Sequence, residues 1–182
     1  MRYFTPEWHD ADLSEEDTDA VFLAYEQHLE QIWPRLHATV RALAGTLSLN
    51  DALIRRVVFD RAEREVRLEL RAGDDEIGYC DVDLTYLGAI VDASDVTRLA
   101  DAARDPETIL LYDELDLAEA DVDEDDGDGE GDGDGYVHRF LFWPFREIEI
   151  SFSALAVRIA PRADGRVPLF PDRWVEIAES AG

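Results

Sequence analysis

The sequence predicts an α+β domain in which an N-terminal helix pair packs on an antiparallel β-sheet of about six strands. Three observations support this fold class. Apolar residues recur at steps of three and four before residue 45, which is typical of a helix. From residue 49 the apolar period changes to two, which is typical of strands with one packed and one wet face. Between the later strands lies a segment rich in Gly and Asp, which predicts a long acidic hairpin loop.

The helical part begins after an aromatic arm, residues 1–13, and carries its own start and stop signals. Ser14 followed by three acids predicts a capping box at the start of a helix. The apolar stripe then runs through positions 21, 25, 29, 32, 33, 36, 40 and 43. Pro34 interrupts this stripe, so we expect a kink, or a break after which Pro34 begins a second helix. Gly45 is the predicted C-cap of the pair.

The strand part consists of short alternating runs separated by turn residues. The predicted strands are 53–60, 65–71, 77–87, 108–116, 136–143 and 147–152, with a last short one at 156–159. A short helix over 93–104 separates the third and fourth strands, and Pro106 ends it.

The length of the chain, 182 residues, predicts a single α+β domain over residues 1–182. Within it we expect residues 117–135 to be a disordered acidic insertion and residues 160–182 to be an irregular tail with three prolines. A single cysteine, Cys80, excludes an internal disulfide, and the chain has no apolar run long enough to cross a membrane. These features and the N-terminus, which lacks an apolar leader, predict a cytoplasmic protein.

The net charge of −26 is unevenly distributed, and lysine is absent. Residues 113–134 contain thirteen acids and no base, which is half of the net charge. This charge argues against binding to nucleic acid or to an anionic membrane, and it suits a basic protein partner or adaptation to high salt. Mimicry of DNA by the loop is disfavoured, because alternate acids on an extended chain recur about every 6.6 Å and phosphates about every 3.4 Å.

Candidate chemistry is sparse, and no catalytic residue, metal ligand or cofactor is assigned from the sequence. The four histidines, His9, His28, His37 and His138, have no spacing typical of a metal site. Cys80 lies on the apolar face of its strand, where burial and Asp81 are expected to raise the thiol pKa. The acidic loop resembles part of an EF-hand loop, but Val137 stands where the bidentate Glu is required.

One carboxylate cluster and one aromatic segment remain as candidate sites. Asp113, Glu114 and Asp116 lie close together on a predicted strand, and carboxylates in such a group suit a divalent cation. At the end of the next predicted strand, Trp143, Pro144, Phe145 and Arg146 form an aromatic turn where most turns are polar. An exposed Trp–Phe pair beside an arginine has the composition of a contact site for a partner.

Four segments also match short motifs: MRYFTPE at 1–7, LNDA at 49–52, LYDELD at 111–116, and HRFLF with EIEI at 138–142 and 147–150. Together they resemble a family of uncharacterised bacterial proteins with an MRYFT-type start, an LHDA strand entry, a YDEL strand and a final hairpin. The resemblance covers residues 1 to about 155 and implies a shared fold without an assigned activity. The chain departs from the family pattern at Asn50, where the family has His, and at Trp143–Arg146, which replaces a polar turn.

The sequence therefore favours a small acidic cytoplasmic protein-binding module, of the immunity-protein or inhibitor kind, with a basic partner. Two alternatives stay open: a divalent-metal-dependent enzyme using the Asp113, Glu114 and Asp116 cluster, and an acidic surface that serves only as salt adaptation.

Overall fold

A computed structural model describes residues 1–11, 13–74, 78–118, 135–144 and 146–161. The helices of this part are α1 (Pro6–Asp10), α2 (Glu15–Ile32), a 3₁₀ turn (Trp33–Arg35), α3 (Ala38–Thr46) and α4 (Ala93–Ala102). The strands are β1 (Leu53–Asp60), β2 (Glu65–Asp74), β3 (Gly78–Leu87), β4 (Ile109–Leu117), β5 (Tyr136–Trp143), β6 (Arg146–Phe152) and β7 (Ala154–Pro161).

The α+β class is confirmed, but the expectation of one sheet with about six strands is wrong. The seven described strands form two antiparallel sheets, one in the order β1-β2-β3-β7 and one in the order β4-β5-β6. The sheets divide because α4 lies between β3 and β4, and β4 pairs with β5 instead of returning to β3. The last strand, β7, then takes the free edge of β3. Alternation in the sequence identifies strands, but it does not identify their partners.

The two sheets share one core. On β3 the inward residues Cys80, Val82, Leu84 and Tyr86 are fully buried, as their alternation predicted. The Tyr86 ring contacts the rings of His138 on β5 and Phe152 on β6, which joins the first sheet to the second. Two short bridges, Ala52 with Leu110 and Ile90 with Ser151, connect the second sheet to the segments before β1 and after β3.

The helix signals were only partly correct. The side chain of Ser14 accepts a hydrogen bond from the Asp17 amide, which confirms the predicted cap. Pro34 breaks the stripe as predicted, but it lies in the 3₁₀ turn, and the next helix begins later, at Ala38. Gly45 is not a C-cap, because α3 continues to Thr46. A Cβ on Gly45 would lie 3.0 Å from the Trp33 ring, so close packing explains this glycine.

The acidic loop begins and ends on a regular hairpin. Leu117 on β4 pairs with Tyr136 on β5, and the Ala118 amide donates to the Gly135 carbonyl at 2.7 Å. The predicted hairpin is therefore present up to these residues. The loop itself and the C-terminal tail after Pro161 lie outside the described residues, as does the EF-hand-like stretch.

Candidate functional site

The carboxylate cluster lies on β4, which is an edge strand of the second sheet. Because side chains alternate along a strand, Asp113 points to one face of the sheet, and Glu114 and Asp116 point to the other. The three residues are close in the sequence, but the alternation of the strand places them on two faces of the sheet, where they have different partners. The three carboxylates therefore do not converge on one point, as ligands of a single cation must.

Glu114 fixes the N-terminal arm. Its carboxylate accepts backbone hydrogen bonds from Arg2 at 2.8 Å, from Tyr3 at 2.7 Å and from Phe4 at 2.8 Å. The residue is 1% exposed, so the charge is compensated almost wholly by these three donors. The Met1 ammonium group lies 2.8 Å from the Glu147 carboxylate, which is a further contact of the same arm.

Aromatic residues of the arm form a cluster on the outer face of β4. The Phe4 ring is buried and lies 5.0 Å from the Tyr112 ring, measured between centroids. Trp8 and Phe22 also contact both of these rings. The aromatic residues that the sequence placed in an arm are therefore packing residues, held in position by Glu114.

Asp116 is the second carboxylate on this face, and three cationic or ionisable side chains surround it. Its oxygens lie 2.9 Å from the Arg2 guanidinium, 3.1 Å from that of Arg139 and 3.0 Å from His28 Nε2. The Leu117 amide donates a further hydrogen bond at 2.9 Å. These contacts tie the arm, α2 and β5 to one buried carboxylate.

The helix α2 makes one more polar contact with this edge strand. The Tyr25 hydroxyl accepts a hydrogen bond from the Leu115 amide at 2.7 Å, which satisfies a backbone donor of the sheet edge. Burial, and next the Asp113 charge, raise the pKa of Tyr25 far above its ordinary value of 10.0. The phenol is therefore neutral and structural.

Asp113 is the partly exposed end of a hydrogen-bonded series of three side chains on the inner face. Its Oδ2 lies 3.0 Å from His138 Nε2, and His138 Nδ1 lies 2.8 Å from the Tyr86 hydroxyl. A carboxylate only accepts, so we assign the proton to Nε2, and Nδ1 then accepts from Tyr86. Burial raises the pKa of Tyr86 well above 10.0, and the Asp113 charge adds to this. Tyr86 and His138 are both 0% exposed, whereas the Asp113 side chain is 22% exposed, so the three side chains join the two sheets and reach solvent at Asp113.

The described residues contain no group of three or more His, Cys, Asp or Glu side chains that could hold a metal ion. Cys80 is fully buried, and burial followed by the Asp81 charge raises the pKa of its thiol, as the sequence predicted. What the cluster can do, on these contacts, is hold the arm, α2 and the two sheets together.

The aromatic turn after β5 is only partly described. Phe140 and Phe142 are core residues, whereas Trp143 is 46% exposed and Pro144 is also exposed. Arg146 is half-buried, and its Nη1 atom is buried with no hydrogen-bond partner among the described residues. Phe145 lies outside the described residues, so the predicted contact site of Trp143, Pro144, Phe145 and Arg146 stays a prediction.

The structure also presents a surface that the sequence analysis missed. At 100° per residue, seven exposed side chains of α2 lie within about 120° of its circumference. We call them the α2 stripe: Glu15, Glu16, Asp19, Phe22, Leu23, Glu26 and Glu30. The adjoining face of the helix, with Tyr25, Leu29 and Ile32, packs on the protein, and Phe22 lies at the border between the two faces. A helical wheel would have found the stripe, but only once the buried face of α2 was known.

Comparison of the chain with protein-family models, with curated proteins and with solved structures found no match. None of the helices in the described ranges combines the length and the apolar character that crossing a bilayer requires.

Proposed function

We propose that the chain is a small acidic protein-binding module that binds a basic partner through the α2 stripe. The observation that carries this proposal is the composition of the stripe. It contains five acids, two exposed apolar residues and no base on one face of a single helix. The proposal keeps the function class that the sequence favoured, of the immunity-protein or inhibitor kind, and assigns it a surface.

The apolar residues distinguish this surface from an ordinary solvated helix face. Leu23 is 53% exposed and Phe22 is 44% exposed, and they are neighbours in the chain. Full burial of a leucine is worth about 1.5–3 kcal/mol, so covering the exposed half of Leu23 contributes about 1 kcal/mol. Phe22 also contacts Phe4, Trp8 and Tyr112, so a partner that covers Phe22 packs on a side chain that the aromatic cluster supports from below.

The acids of the stripe are available to a partner. None of their five carboxylates has a hydrogen bond or an ion pair with another described residue. By contrast, the buried Glu114 and Asp116 are fully engaged. Unpaired surface acids on a chain of charge −26 attract a basic partner at long range and orient its approach.

The geometry of the stripe also limits the partner. From Glu15 to Glu30 the helix rises about 22 Å, which is the length of a partner helix of about four turns. Acids flank Phe22 and Leu23 on both sides along the axis. The partner surface that fits is a basic amphipathic helix, or an equally long basic ridge, with an apolar centre.

The experiment compares two variants of equal charge. The stripe variant carries Asp19→Asn, Glu26→Gln and Glu30→Gln, and the control variant carries Glu63→Gln, Asp92→Asn and Glu107→Gln. All six acids are exposed, so both variants should fold like the parent chain. The probe is a designed peptide of sixteen residues, helical, basic on one face and apolar at its centre, and its affinity is measured by calorimetry.

We expect the stripe variant to bind the peptide roughly tenfold more weakly, since each exposed ion pair contributes about 0.2–1 kcal/mol. The control variant should bind almost like the parent chain. Equal weakening in both variants would mean that only the net charge matters, and the proposed surface would be wrong.

A second variant, Leu23→Gln, tests the apolar part without a change of charge. It should lower the affinity for the peptide by about fivefold, whereas Ala24→Gln, on the neighbouring exposed face, should leave this affinity unchanged. If native partners are then captured from a lysate, we expect the variants to rank in the same order of affinity.

The Trp143 segment is the second candidate contact, since Trp143 is 46% exposed.

A metal-dependent enzyme is the less supported alternative. The contacts of Asp113, Glu114 and Asp116 commit these carboxylates to His138, to the arm and to two arginines. An activity would have to displace these partners before any oxygen could face a cation.

A further inference from the structure

We propose that a cleft at the end of the first sheet binds a small organic monocarboxylate with an apolar body. The cleft lies between the β1–β2 turn, the segment after β3 and the start of α4, and its volume is about 300 Å³. It is lined by Phe59, Asp60, Arg61, Arg64, Glu65, Val66, Ala89, Ile90, Val91, Ala93 and Val96. The inference does not depend on the α2 stripe, because the two surfaces have no residue in common.

The interior of the cleft is apolar. Phe59, Ala89 and Val91 are partly buried and pack against the hydrophobic core, and Val66 is buried. At the rim, Ile90 is 63% exposed, the highest value among the large apolar side chains described. A ligand with an apolar body would cover Ile90 and extend the core outward, which is favourable in proportion to the area covered.

The rim carries two arginines whose local acids are already engaged. Asp60 Oδ1 accepts from the Ala62 and Glu63 amides at 3.0 and 3.1 Å, as part of the turn. Glu65 pairs with Arg67, which does not line the cleft. In the described part of the chain the Arg64 guanidinium donates a hydrogen bond to the Gly88 carbonyl at 3.3 Å and forms no ion pair, and Arg61 forms no ion pair either.

These groups define the chemical class of the ligand. A guanidinium presents two parallel N–H donors that match the two oxygens of a carboxylate. The charge of −26 disfavours an anion with more than one charge, so a monocarboxylate suits the site better than a phosphate. The volume corresponds to about ten water molecules at roughly 30 Å³ each, which is enough for the apolar body of a small ligand.

The experiment uses the full chain and three probes of equal length: octanoate, octan-1-ol and octylammonium. Binding is followed by calorimetry and by amide chemical shifts of the residues that line the cleft. We expect octanoate to bind best, with shifts at Ala89, Ile90 and Ala93. Octan-1-ol lacks the carboxylate and should bind roughly five- to tenfold more weakly, and octylammonium more weakly still.

Two variants locate the site. Arg61→Gln should weaken the binding of octanoate roughly two- to fivefold and leave the binding of octan-1-ol unchanged. The matched control is Arg55→Gln, an exposed arginine on β1 outside the cleft, which should leave both probes unchanged. Ala93→Leu fills part of the cleft and should weaken the binding of both probes. Circular dichroism and the melting temperature establish that each variant is folded.

Several results would overturn the proposal. Equal affinity for octanoate and octan-1-ol would show that no cation recognises the head group. An equal loss of affinity for octanoate in the Arg61→Gln and Arg55→Gln variants would show only an effect of net charge. Failure of octanoate to bind saturably at millimolar concentrations, with the parent chain folded, would refute the site itself. None of these results bears on the peptide affinity of the α2 stripe.

Discussion

The contact of Glu114 with the N-terminal arm makes a strong prediction about stability. We consider Glu114→Gln, which keeps the size of the side chain and removes its charge. In the native protein Oε1 accepts from Tyr3 and Phe4, and Oε2 accepts from Arg2. A glutamine can keep its oxygen towards Tyr3 and Phe4, but its NH₂ group then faces the Arg2 amide, and two donors meet.

The magnitude follows from these contacts. One hydrogen bond to a charged group, worth about 1.5–3 kcal/mol, is lost, and the other two lose their charge assistance. We therefore expect Glu114→Gln to lower the free energy of unfolding by about 2–3 kcal/mol. For a chain of this size each kcal/mol shifts the melting temperature by roughly 2–4 °C, so a drop of roughly 5–10 °C is expected.

The assay combines urea unfolding with hydrogen exchange of the Tyr3 and Phe4 amides. The control is Glu69→Gln, because Glu69 forms an exposed ion pair with Arg56. Its substitution should lower the free energy of unfolding by less than about 1 kcal/mol. In Glu114→Gln the arm amides should exchange faster than in the control. The reasoning is refuted if Glu114→Gln costs no more than Glu69→Gln and both arm amides keep their native protection.

The remaining predictions concern pH, the loop, salt and the aromatic turn. Tyr86 and Tyr25 keep their protons in the native state, whereas the unfolded chain loses them above about pH 10. Stability should therefore fall as the pH rises beyond 10, by about 1.4 kcal/mol per pH unit for each of these two tyrosines, and urea titrations of Tyr86→Phe should show a slope that is smaller by about this amount. Replacing residues 122–134 by an Asn-Gly turn should hold or raise the melting temperature at low salt, because the hairpin is already closed at Leu117 and Tyr136; a large drop would show that the loop is structural. If the acidity is salt adaptation, the melting temperature of this loop-deleted variant should still rise up to molar KCl, and a flat curve would confine the repulsion to the loop. Trp143→Ser should cost less than about 2 kcal/mol by calorimetry, because the side chain is half exposed, and a loss of 3–5 kcal/mol would identify it as core.

The strands could be predicted from the sequence because each has a short local signal. The bounds of β1 and β5 agree with the prediction, and those of the other strands differ by a few residues. Pairing was not predictable in the same way. The pairing of β7 with β3 depends on contacts between residues that are far apart in the chain, such as Leu84 and Val157, which are more than seventy positions apart.

The carboxylate cluster illustrates a different limit. The sequence singled out Asp113, Glu114 and Asp116 because they are close in number and all acidic. Their chemistry depends on donors that are far away in the chain: Phe4 for Glu114, His28 for Asp116, and Tyr86 through His138 for Asp113. No local pattern predicts whether a carboxylate faces water or a set of buried donors.

The sequence by itself determined the α+β class, the cap at Ser14, the inward row from Cys80 to Tyr86 and the distribution of charge, because each follows from composition or from a period within one segment. Only the tertiary structure decided that there are two sheets and that the arm is anchored on Glu114. It also decided which face of α2 is left outside, and so that Phe22 and Leu23 lie among five acids. The physical reason is that helices and strands are local, whereas burial and the pairing of charges depend on segments that meet only in the folded chain.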